Sequence, residues 1–74
     1  MKDYRARLAY YLRELRGEEG QIAFAQRLGV SQSTLQRLEM AGQNVGIDTL
    51  ETICVRLHCD IGELFPPLPT TGQK

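Results

Sequence analysis

Residues 20–41 read GQIAFAQRLGVSQSTLQRLEMA, two short helical patterns broken by one glycine-containing turn. Phe24, Ala25 and Leu28 fall at i, i+1 and i+4, an apolar stripe at helical spacing. Gly29 follows at once and suits the left-handed residue that ends a helix. Val30 is placed to plug the space between the two helices. Ser31 can then accept a hydrogen bond from the first free N–H groups of a second helix. The pattern predicts helices over 21–28 and 32–40, the second turning Leu35 and Leu38 inward. Gln32, Ser33, Thr34, Gln36 and Arg37 lie off that inner stripe. Glutamine pairs bidentately with adenine and arginine with guanine, and serine serves either base. A helix with this outer face fits the major groove of double-stranded DNA.

Outward from this stretch the chain reads as all-α. A first helix is expected from Asp3 or Tyr4 to Arg16, with Leu8, Tyr11, Leu12 and Leu15 as its buried stripe and Gly17 as its stop. The segment from Ala41 to Gly46, rich in Gly and Asn, reads as irregular. A fourth helix is expected over 47–57, burying Ile47, Leu50, Ile53, Cys54 and Leu57. Asp60 and Glu63 have the spacing of a capping box. They predict a short fifth helix with Ile61, Leu64 and Phe65 facing in, ended by Pro66-Pro67. Five helices with short links give a compact orthogonal bundle over residues 1–65, with a flexible Pro-rich tail over 66–74. Leu68 to Gly72 spell LPTTG, which looks like a sorting signal, but only Gln73 and Lys74 follow, so the match reads as chance.

Seventy-four residues make one small domain, which buries only about 60% of its unfolded surface. The net charge is zero, but it is unevenly spread. Residues 1–37 carry seven basic and four acidic side chains, a net +3; residues 38–74 carry two basic and five acidic, a net −3. The positive half holds the proposed DNA face. No run of 18 apolar residues and no basic-then-apolar leader is present, so the expectation is a cytoplasmic, nucleoid-associated protein without a membrane partner. Cys54, His58, Cys59 and Asp60 crowd together in sequence, yet their spacing matches no usual zinc pattern. Cys54 sits on an apolar stripe and reads as a small hydrophobe, and a reducing compartment disfavours a disulfide. No metal and no cofactor are expected. The chain has one histidine, no Gly-rich phosphate loop and no nucleophile–base pair, so an enzyme is not expected.

The run Gln21, Phe24-Ala25, Leu28 to Leu35, Leu38-Glu39, with Asn44 and Leu50 beyond it, resembles the helix-turn-helix of the lambda repressor/Cro-like family. The resemblance extends from about Leu8 to Phe65. It implies a lambda-repressor-like bundle whose third helix reads base edges through Gln32 and Ser33, joined by Arg37. It implies that Gln21 holds a phosphate, and that Glu39 pairs, largely buried, with an arginine of the first helix, either Arg13 or Arg16. Thr34, Gln36, Gln43 and Asn44 are expected near the DNA backbone. One short helix reads too few bases for specificity, so a homodimer on a palindromic operator is expected, acting as a transcriptional regulator. The chain departs from the family pattern in its short, acidic link Gly17-Glu18-Glu19-Gly20 and in Val45-Gly46, where Pro-Ser is common. The alternative is a protein-interaction module, such as an antitoxin, whose acidic second half docks a protein partner while DNA binding is weak.

Overall fold

The computed structural model describes residues 3–40 and 45–68. Within them the chain forms four α-helices and a closing 3-10 turn: α1 (Tyr4–Arg16), α2 (Gln21–Leu28), α3 (Gln32–Glu39), α4 (Ile47–Leu57) and the 3-10 turn Ile61–Leu64. No strand occurs among the described residues. The expected loop residues 41–44 and the tail beyond residue 68 lie outside the described residues.

Local chemistry explains where each helix starts and stops. Asp3 accepts a hydrogen bond from the Ala6 N–H at 3.1 Å and caps α1. Ser31 caps α3 in the same way, accepting from the Thr34 N–H at 3.1 Å. Gly29 ends α2 in the left-handed region, at φ 78° and ψ 26°. Its N–H donates to the Gln26 carbonyl, and the Val30 N–H reaches back to Ala25, so the α2 terminus is a Schellman motif. α4 ends in the same motif without a glycine, with His58 at φ 57°.

The core is built from the apolar faces of all five elements. Leu8, Leu12, Phe24, Leu28, Leu35, Ile53 and Leu64 are fully buried, with Ala9, Ala25, Leu38 and Leu50 beside them. Full burial of such a side chain contributes about 1.5–3 kcal/mol relative to exposure. α3 packs against α1 and α2, α4 packs against α2, and the 3-10 turn lies against α1 and α4. Arg7 clasps the chain after the turn, donating to the Phe65 carbonyl at 2.6 Å and the Pro66 carbonyl at 3.0 Å. Tyr4 meets Phe65 edge to face at 5.9 Å.

The structure corrects the sequence expectation at several points. The fifth helix is a four-residue 3-10 turn, not an α-helix. Pro66 has no N–H to continue an α-helical ladder and pushes Phe65 out of helical geometry. The Asp60 side chain makes no cap bond, so the capping box with Glu63 does not form. Instead the Glu63 N–H donates to the Asp60 backbone carbonyl at 3.0 Å. Of the three residues expected to face in, Leu64 is buried, Phe65 is half-buried and Ile61 is exposed. Leu15 and Ile47, expected in the core, are 40% and 67% exposed. Leu15 yields its place at the end of α1 to Arg16, which turns inward to a buried carboxylate. Ile47 is the first residue of α4, with no helical turn before it to cover it.

The Gly29 turn is crowded as well as left-handed. A Cβ placed there would lie 3.1 Å from Thr52 Cγ2 and 3.2 Å from Arg56 Cζ. Gly29→Ala is therefore expected to lower stability by about 1–2 kcal/mol, from the left-handed backbone alone, with the crowding added to that. Urea denaturation of the two proteins measures the difference. An unchanged midpoint would show that α4 can retreat from the turn without cost.

Candidate nucleic-acid interface

α3 divides its residues between two jobs. Leu35, Leu38 and Glu39 face the interior, all buried. Gln32, Ser33, Gln36 and Arg37 are exposed, and their spacing of i, i+1, i+4 and i+5 puts them on one face of the helix. No apolar side chain interrupts that face over the first two turns. Arg37 forms no ion pair among the described residues, which leaves its guanidinium available to an acceptor on a ligand. Thr34 is half-buried at the rim, and its hydroxyl accepts from Ser31 Oγ at 2.9 Å. Gln43 and Asn44 lie outside the described residues.

What holds α3 in place is a buried carboxylate. Glu39 is only 5% exposed. Arg16 of α1 donates to both its oxygens, Nε to Oε2 at 2.8 Å and NH2 to Oε1 at 2.9 Å. Gln21, the first residue of α2, donates to Oε1 at 3.1 Å. Arg13 donates to the Glu39 backbone carbonyl, satisfying an end of α3 that would otherwise lack a partner. One residue thus ties three helices together. Of the two arginines expected as its partner, Arg16 binds the carboxylate and Arg13 the main chain. Gln21, expected at a phosphate, donates one amide N–H to this network, which leaves its second N–H for another acceptor.

The N-terminus of α2 has no side-chain cap. Its first N–H groups and the positive end of its dipole can therefore receive an anion. The acidic link before it is partly neutralised, since Glu19 pairs with Arg27 at 3.4 Å. Arg27 also lies over the Phe24 ring at 5.2 Å. At the other end of α2, Arg56 of α4 points at the carbonyls of Gln26 and Arg27, at 3.3 and 3.4 Å. Positive charge at a helix C-terminus opposes the dipole favourably. Nothing in the sequence marks Arg56 for this task, because the contact joins residues about thirty apart. Gln21 opens α2 and Glu39 closes α3, so their contact joins the two outer ends of the helix-turn-helix.

A sequence profile of the Cro/C1-type HTH DNA-binding domain matches residues 12–68, more than half of the chain. Among solved structures, the crystal structure of a hypothetical transcription factor, NHTF, from Neisseria is similar, with a TM-score of 0.73 and 25% identity. The match covers 88% of this chain and 77% of that one. No curated protein matches.

Glu39→Gln keeps the shape of the network but removes its charge. It is expected to cost about 1.5–3 kcal/mol, the range for hydrogen bonds to charged groups. Thermal unfolding checks this. A loss below half a kilocalorie would show that Arg16 and Gln21 find equal partners in water.

Proposed function

This chain belongs to the Cro/C1-type helix-turn-helix DNA-binding family, and we propose that it is a sequence-specific transcriptional regulator that binds a palindromic operator as a homodimer. The observation that carries this reading is the outer face of α3, where exposed hydrogen-bonding side chains stand on a helix fixed from behind by Glu39. Gln32, Ser33 and Arg37 read base edges in the major groove. Gln21, Thr34 and Gln36 lie toward the phosphates, with Gln43 and Asn44 beyond them in the chain. Two such helices on a two-fold axis reach half-sites about 34 Å apart. Acting on chromosomal DNA places the protein in the cytoplasm, on the nucleoid.

Exposed apolar side chains offer material for a dimer contact, among them Ile22 and Leu68. A second reading is a protein-interaction module of antitoxin type. It is favoured by Asp48, Glu51, Asp60 and Glu63, which are exposed and form no salt bridge among the described residues.

Selection of bound fragments from a random DNA pool, followed by titration against scrambled competitor, separates the two. The regulator reading expects a pseudo-palindrome bound at least about a thousandfold more tightly than competitor. Absence of enrichment would favour the protein-partner reading. On the selected site, Arg37→Ala is expected to weaken binding by about 1–3 kcal/mol and to relax preference at one base pair. An equal loss on every sequence would reassign Arg37 to phosphate contact. The salt dependence is expected to be shallow, because the slope of log K against log salt is about −0.9 per phosphate neutralised and the positive half carries a net charge of only +3. A steep slope in a salt titration would contradict this and point to many ionic contacts.

A further inference from the structure

The C-terminus of α4 carries two cysteines at the two positions that a Schellman motif brings into contact. The His58 N–H donates to the Val55 carbonyl at 3.4 Å, and the Cys59 N–H reaches back five residues to the Cys54 carbonyl at 3.1 Å. In this motif the residues joined by the longer bond commonly touch through their side chains. At the end of α2 that pair is Ala25 and Val30; at the end of α4 it is Cys54 and Cys59. Both are half-buried and free, and both line an open groove between α4 and the 3-10 turn.

We propose that Cys54 and Cys59 form a closable dithiol, which a small-molecule disulfide converts reversibly into an intrachain disulfide across the C-cap of α4. A disulfide needs Cα atoms roughly 4–7 Å apart and Cβ atoms about 4 Å apart. The backbone hydrogen bond between the two residues draws them toward that window, and both side chains line the same groove. No refolding is required, because the bond closes a turn the main chain has made.

The exchange runs in two steps. One thiolate attacks the disulfide reagent, forming a mixed disulfide and expelling the reagent's first thiolate. The second cysteine then attacks the protein sulfur of that mixed disulfide and expels the other half. The protein loses two protons and two electrons, and the reagent, reduced by them, becomes two thiols. Cys59 is the poorer first attacker. Burial, reinforced by Cys54, Glu63 and Asp60, pushes its thiol up to about 11, so it holds its proton near neutrality. Cys54 makes the first attack, and Cys59 resolves, where proximity replaces thiolate concentration. Glu51, Asp60 and Glu63 line the groove, so a cationic disulfide such as cystamine is concentrated there and an anionic one is repelled.

The test incubates the full chain with cystamine, native and in urea, and reads intact mass and alkylatable thiols. The native protein is expected to yield a monomer lighter by two hydrogens, with both thiols lost and both recovered on reduction. Cys59→Ser is expected to stop at one cysteamine adduct on Cys54. At equal reagent the native chain should show an oxidised-to-reduced ratio at least about tenfold above that of the urea-unfolded chain. A native protein that keeps both thiols, accumulates two adducts, cross-links between chains or oxidises no better than the unfolded chain would overturn the proposal.

Discussion

The Glu39 carboxylate is the constraint from which the arrangement of the first three helices follows. A charge this deeply buried is tolerated only when it is paired and its remaining lone pairs are filled. Arg16 fills one side and Gln21 another, so α1 and α2 can approach α3 in one register only. A leucine in its place would bury as well but would not dictate which residue sits opposite. The carboxylate also lies at the last residue of α3, two residues from Arg37 and on the opposite face. The helix is anchored at its C-terminal end from within and at its N-terminal end by the Ser31 cap. Its outer face is free because its inner face carries the whole attachment.

The turn between α2 and α3 depends in the same way on what lies behind it. Gly29 permits the left-handed step, but Thr52 and Arg56 of α4 close over it, within 3.2 Å of where a Cβ would stand. Arg56 uses that proximity to reach the carbonyls that end α2. α4 is therefore the back wall of the motif. Its own end is held by Cys54 and Cys59 and by the 3-10 turn beyond, which Arg7 fastens to α1. The C-terminal ends of α2 and α3 also receive donors from residues distant in sequence, Arg56 and Arg13.

What was legible beforehand were the local devices. Ser31, Gly29 and the stripe Phe24, Ala25, Leu28 are read within one turn of themselves, and each behaves as its spacing requires. The division of α3 into inward Leu35 and Leu38 and outward Gln32, Ser33, Gln36 and Arg37 is likewise a matter of period alone. Features set by distant contacts were not legible in periodicity, and the pairing of Glu39 with an arginine of α1 came only from the family resemblance. Periodicity puts Leu15 in the core, but it cannot know that Arg16 must reach a carboxylate more than twenty residues away. The Asp60–Glu63 spacing signals a cap, but Pro66 leaves too little chain for an α-helix to use it. Cys54 scans as a core hydrophobe, while its half-exposed position beside Cys59 follows from the left-handed turn at His58, which no residue type announces.

Zero net charge bears on how such a fold recognises DNA. Non-specific affinity is almost entirely ionic and scales with the phosphates neutralised. Hydrogen bonds to base edges and to phosphates from neutral donors do not scale that way. On the proposed reading, a chain with no net charge, and with Arg27 partly engaged by Glu19, holds random sequence weakly. Its contacts come from Gln32, Ser33 and Gln36, from the uncapped start of α2 and from a single unpaired arginine on α3. Each of these requires a particular acceptor in a particular place, so a wrong sequence forfeits contacts without keeping a large ionic term in compensation. Low charge then lowers absolute affinity but raises the ratio of specific to non-specific binding. That ratio, multiplied over the many competing sites of a genome, decides occupancy.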